Sequence, residues 1–167
     1  NIMFNIIACG MIILFSVVFN LFSLHFYTPA RRLSDFNAFF LLLYDLFQIS
    51  ILLFFSGGMT NPFSILIIVP VIVSATSLSI IFLLILGITT IISIIFLSFV
   101  YLPIYTSLGL EIELPTILLI GFSTSLVITV TFLGGYARRV AIDTLNMNKA
   151  LQVTQVALER ERKLTAI

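Results

Sequence analysis

The stretch FSILIIVPVIVSATSLSIIFLLILGITTIISIIFLSFVYL, residues 63–102, contains no Asp, Glu, Lys or Arg. As one helix rising 1.5 Å per residue it would be about 60 Å long. A bilayer core is roughly 30 Å thick. The stretch therefore reads as two membrane spans joined by a tight turn. The cluster Ser74-Ala75-Thr76-Ser77-Leu78-Ser79 is where small polar residues place that turn.

The rest of the chain agrees. Hydrophobic residues make up 60% of the 167 positions and charged residues only 9%. A soluble domain carries roughly a quarter charged residues, and membrane spans account for so large a shortfall. Working outward, apolar blocks predict spans at about 2–27, 36–56, 63–77, 79–102 and 115–135, with Pro115 suited to a helix start. All eight basic residues lie in two zones, Arg31–Arg32 and from Arg138 onward. Positive residues mark the cytoplasmic side, so an even number of crossings must separate the zones. Splitting residues 63–102 into two spans gives four; leaving them whole gives three. Residues 57–63 and the loop with Glu111 and Glu113 then face the periplasm. The N-terminus also falls outside, which predicts a preceding span and six in a parent protein. The expected fold is an all-α polytopic membrane bundle, residues 1–136, followed by a cytoplasmic linker helix, residues 137–167.

That linker has charges of both signs and no Gly or Pro. Val140, Thr144, Met147, Leu151, Thr154 and Leu158 alternate spacings of four and three, an a/d seam of period 3.5. Glu159 and Lys163 form a favourable i,i+4 pair. The seam predicts a parallel homodimeric coiled coil continuing from the last span; a helix lying on lipid headgroups is the alternative.

Several chemistries are excluded. A net charge of +1 gives no basis for nucleic-acid binding. The lone Cys9 makes no internal disulfide, and with one histidine, His25, there is no metal-ligand spacing. No nucleophile–base pairing, Walker loop or Rossmann glycine set occurs, so no catalytic residue is expected. Asp45 stands near the middle of the second span, where a charge costs roughly 2.5–3.5 kcal/mol. Gln48, at i+3, shares its face. The pair is either linked to a ligand or packs helices together.

Between the second and third spans stands Gly57-Gly58-Met59-Thr60-Asn61-Pro62-Phe63. The glycines permit positive φ, and Asn before Pro favours a turn. Asn61 offers donors and an acceptor, and Phe63 an aromatic face. By itself this is a hairpin turn with some capacity to hold a lipid-soluble carbonyl compound.

The pattern Gly-Gly-x-x-Asn-Pro-Phe between two spans resembles the quinone-sensing heptapeptide of the RegB/PrrB/ActS sensor histidine kinases. Gly57, Gly58, Asn61, Pro62 and Phe63 match it. Tyr44-Asp45-Leu46, Pro70-Val71 with Ser74-Ala75-Thr76, and Glu113-Leu114-Pro115 also resemble that family in order and spacing. The ending Ala157-Leu158-Glu159-Arg160-Glu161-Arg162-Lys163-Leu164 is similar to its linker before the phosphoacceptor helix. The resemblance implies the sensor part of a bacterial inner-membrane histidine kinase with six spans and no HAMP domain. It implies ubiquinone as the sensed ligand at Gly57, Gly58, Asn61, Pro62 and Phe63. ATP binding, the phosphoacceptor histidine and the family's redox cysteine would lie beyond Ile167. A RegA/PrrA-like response regulator would be the partner of that kinase part. The fragment alone would be inactive as a kinase. A small transporter fragment and a membrane subunit of a quinone-linked respiratory enzyme are the other readings. The first needs polar residues converging on a cavity, the second haem-ligand histidines.

Overall fold

The computed structural model describes residues 2–3, 6–26, 34–106 and 114–165. Tyr27, Arg31, Arg32, Glu111 and Glu113 fall outside them, as does the side chain of His25.

Among the described residues five α-helices follow in order: α1 Ile6–Phe26, α2 Asp35–Phe55, α3 Val69–Ser77, α4 Ile80–Phe99 and α5 Thr116–Thr165. Local chemistry sets the ends. Ser34 caps α2, its hydroxyl accepting from the Asn37 amide at 3.3 Å. Pro115 precedes α5, and its carbonyl accepts from Leu118 and Leu119. The chain reverses between α3 and α4 through Leu78 and Ser79.

Between α2 and α3 the backbone is tighter than an α-helix. Gly58–Thr60 and Pro62–Ile68 are 3₁₀ turns. With about 2.0 Å rise per 3₁₀ residue and 1.5 Å per α residue, 62–77 is about 27 Å long. Sixteen α-helical residues would reach only about 24 Å. The tighter winding thus brings a short segment close to bilayer thickness. Residues 62–77 form a strut at the centre of the bundle, against α2, α4 and α5. Ser64, Ile67, Ile68, Val71, Ser74, Ala75 and Leu78 are its buried stripe. They meet Leu46 and Leu53 of α2, Leu86, Ile94 and Leu97 of α4, and Leu126 and Val130 of α5. By contrast α1 packs mainly on α2, with Phe19 and Tyr44 ring centroids 4.1 Å apart. Outward faces of α1, α2, α4 and the first half of α5 are apolar, as an acyl-chain environment requires.

The two ends of the bundle are tied differently. At one end the 57–61 turn meets the exit of α4: the Leu102 amide donates to the Phe54 carbonyl at 2.9 Å. Ile2–Met3 pairs antiparallel there with Tyr105–Thr106, a two-residue ladder that periodicity did not foreshadow. At the other end the Ser79 amide donates to Asp35 Oδ2 at 3.1 Å, and Arg138 Nη1 donates to the Leu78 carbonyl at 2.6 Å.

The protein is an all-α membrane bundle. Three described helices, Asp35–Phe55, Ile80–Phe99 and the N-terminal part of α5, are long and apolar enough to cross a bilayer, and Ile7–Phe22 and Pro62–Ser77 are shorter apolar helices. At 50 residues, α5 is about 75 Å long and must leave the bilayer. Beyond Ala141 every described side chain of α5 is exposed.

Candidate functional site

Beside the 57–63 turn lies a cavity of about 470 Å³. α1 supplies Cys9 and Ile13, and α2 supplies Ile49, Leu52, Leu53 and Ser56. The turn and strut supply Asn61, Pro62, Phe63 and Leu66, and Ile104 closes one side. Its volume lies in the range of small-ligand sites, and its walls are apolar except for Ser56 and Asn61. Phe63 is 66% exposed and Leu66 47%, so one wall is free to meet a lipid-soluble guest.

Of the five turn residues singled out by sequence, Asn61, Pro62 and Phe63 line this cavity; Gly57 and Gly58 do not. The glycines are buried at φ +97° and +57°, a region that disfavours side chains. A Cβ on Gly58 would stand 2.6 Å from Tyr101 Cβ and 2.7 Å from the Leu97 carbonyl oxygen. A Cβ on Gly57 would meet Ile104 Cδ1 at 2.5 Å. Their role here is close packing of the turn on the end of α4. Met59 is almost wholly buried beneath the turn.

Asn61 holds the turn together. Its Nδ2 donates to the Ser56 carbonyl at 2.9 Å and to Ser56 Oγ at 2.7 Å, and its Oδ1 accepts from the Phe63 amide at 2.8 Å. These partners fix the orientation of the amide, since only the oxygen can face Phe63 N–H. Its carbonyl also accepts from the Ser64 amide and hydroxyl. Both amide protons are committed, so Asn61 has none left for a ligand carbonyl. What it retains is one lone pair of Oδ1. The fold uses Asn61 as an N-cap and a brace.

Asp45 and Gln48 face elsewhere. They line a second cavity of about 390 Å³ with Ser16, Asn20, Leu42, Ile49, Val69, Pro70 and Val73. Asn20 Nδ2 donates to Ser16 Oγ at 3.4 Å. Asp45 and Gln48 have no hydrogen bond to each other or to other described residues. Sequence spacing missed Ser16 and Asn20, because only the pairing of α1 with α2 brings them opposite Asp45. Among the described residues no group of His, Cys, Asp and Glu is arranged to hold a metal ion.

Below the cavities, the strut connects to α5. Val71 Cγ1 lies 3.2 Å from where a Cβ on Gly134 would stand, so the small residue allows close approach. Ser98 and Ser123 share a 2.7 Å hydrogen bond between α4 and α5. Arg138 Nη1 reaches the Leu78 carbonyl at the far end of the strut, and also the Ala75 carbonyl at 3.5 Å.

Comparison with known proteins points to one group. The chain is 41% identical over 157 residues, 94% of its length, to the sensor histidine kinase RegB of Cereibacter sphaeroides. A second RegB of that species is 43% identical over 70 residues, 42% of this chain. The chain spans about a third of the first relative, 34%, and 15% of the second. No family model and no solved structure matches it.

Proposed function

We propose that this chain, a relative of the RegB sensor histidine kinases over nearly all its length, is their membrane sensor segment and responds to a quinone held beside the 57–63 turn. The observation that carries the reading is the cavity walled by Asn61, Pro62 and Phe63. It lies against the first residues of a strut whose other end is bonded to α5.

Quinones suit this cavity because its binding surface is chiefly apolar. A flat ring would stack on Phe63, between Leu52, Leu66 and Ile13, with the isoprenoid tail running out into lipid. Aromatic contact of this kind contributes about 0.5–1.5 kcal/mol beyond burial. Polar recognition is subordinate: the one position left on Asn61 Oδ1 is an acceptor, which a quinone carbonyl cannot use. Gly57 and Gly58 act indirectly, by fixing the turn.

The strut gives the bound ligand a route to α5. Pro62, Phe63 and Leu66 belong to the 3₁₀ part; Ala75 and Leu78, at the far end, hold Arg138. Rewinding 62–68 from 3₁₀ to α would shorten the strut by about 3.5 Å. Mid-helix 3₁₀ stretches are often hinges. A ligand seated on that stretch biases the two windings only if it binds one better than the other. A tenfold bias needs about 1.4 kcal/mol.

From Arg138 onward α5 leaves the bundle, with Met147, Leu151 and Leu158 exposed along its seam. The exposed seam supports a homodimeric coil, and the distribution of basic residues supports a cytoplasmic place for it, with the 57–63 turn on the periplasmic side of a bacterial inner membrane. In the parent protein the coil would drive an ATP-dependent histidine kinase that phosphorylates a response regulator. The test is binding of a one-isoprene ubiquinone to the chain in nanodiscs. Phe63→Ala is expected to weaken it about tenfold with the melting temperature unchanged. Equal affinity in both proteins would remove the site assignment.

A further inference from the structure

The cavity around Asp45 is at the wrong depth to belong to the turn, and its polar groups are not used to join helices. Asp45 is the midpoint of α2 (Asp35–Phe55), and Ser16 the midpoint of α1 (Ile6–Phe26). Two antiparallel helices thus bring a carboxyl, two carboxamides and a hydroxyl together at mid-bilayer. Asp at such a depth is costly, and polar side chains kept there for packing bond across the helix interface. Here the Asn20–Ser16 bond runs within α1, and Asp45 and Gln48 make none to described residues. The free capacity points into the cavity instead.

We propose that this cavity is a second ligand site, for an amphiphile whose aromatic head carries hydroxyl groups, such as a hydroquinone. Asp45 accepts from a ring hydroxyl. Gln48 and Asn20 present both a donor and an acceptor to the opposite edge of the ring. Leu42, Ile49 and Pro70 form the apolar walls. The mouth is flanked by Val69 and Val73, each more than 40% exposed on the outside of the bundle. Entry is therefore lateral, from acyl chains rather than from water, which favours a lipid-soluble guest over an inorganic cation.

The two cavities are neighbours at different depths along α1 and α2. On α1 they are lined by Cys9 and Ile13, then by Ser16 and Asn20, spaced as one helical stripe. Ile49 lines both, and the strut supplies Leu66 to one and Val69 to the other. The inference rests on the membrane-bundle reading but not on the turn site.

The experiment is calorimetric titration of the chain in nanodiscs with one-isoprene ubiquinol, corrected for partitioning into empty discs. Two sites per chain are expected. Asp45→Asn keeps the shape, exchanges one acceptor oxygen for a donor and should lose one site, with at least tenfold weaker binding there. Gln48→Leu, checked for unchanged melting, should weaken the same site. Phe63→Ala should remove the other site alone. Loss of binding on Asp45→Asn but not on Phe63→Ala would refute the turn site and keep this one. Unchanged stoichiometry and affinity in Asp45→Asn would overturn the proposal. So would competition by sodium but not potassium chloride at equal ionic strength, which would mark a cation site.

Discussion

The 57–68 segment and the 142–162 segment are opposites. In the first, backbone and side chains are bonded to one another and to Ser56 at the end of α2, the segment packs on α4, and Gly57, Gly58, Met59, Ser64, Ile67 and Ile68 are buried. In the second, every side chain is exposed, and the hydroxyls of Thr144 and Thr154 bond only to their own helix. The first is complete within a single chain. The second has an apolar seam with nothing against it. A receptor must hold its shape to discriminate ligands, whereas an output element must be free to change its partner geometry. The contrast is what the proposed function requires, with input at the turn, output at the helix, and the strut and Arg138 between them.

The strongest way to break the contrast is to loosen the turn. Gly58→Ala places a methyl 2.6 Å from Tyr101 Cβ at φ +57°. We expect about 2–4 kcal/mol of destabilisation, read by thermal or denaturant unfolding in detergent. Tolerance of this change would show that the turn is not packed as described. Asn61→Ala comes next: it strips the Ser56 carbonyl and the Phe63 amide of their partner and should cost about 1–3 kcal/mol. Quinone affinity would fall with it, so Asn61 is a poor isolated probe of ligand contact. The commitment of both amide protons is not visible in the sequence, where Asn61 shows only its donors and its acceptor.

Arg138→Gln sharpens the contrast from its middle. It removes the hydrogen bonds to Leu78 and Ala75 and should cost about 1 kcal/mol. Quinone binding should be unchanged, while any ligand-dependent change in α5 is lost. Persistence of that change would route the signal through the α4–α5 contact at Ser98 and Ser123 instead. Smallest in stability is Leu151→Ala, which should leave the melting of the membrane part within about 0.5 kcal/mol. The same change should reduce chemical cross-linking of the chain into dimers. Unchanged cross-linking would mean that the seam is not the dimer contact.

Much of this was legible in the sequence for simple reasons. Charge-free length sets helix crossings, and a Gly-Gly and Asn-Pro pair sets a turn, so the helical bundle and the 57–63 bend follow from local chemistry. What was not legible depends on distant neighbours. Nothing in Pro62–Ile68 distinguishes i→i+3 from i→i+4 bonding, since both bury the same apolar face. The glycines read equally well as ligand-facing or packed until Tyr101 and Leu97 are seen against them. Asn20 joins Asp45, and Arg138 joins Leu78, only through tertiary structure.

The central claim is that a guest beside Phe63 alters the helix that leaves the bundle. The most direct measurement is the distance between spin labels at position 149, exposed and off the seam, in nanodisc-embedded dimers of a Cys9→Ala background, with and without one-isoprene ubiquinone. The distance distribution is expected to shift on ligand addition in the parent background and to stay fixed in Phe63→Ala. An identical distribution with saturating ligand in the parent background would contradict it.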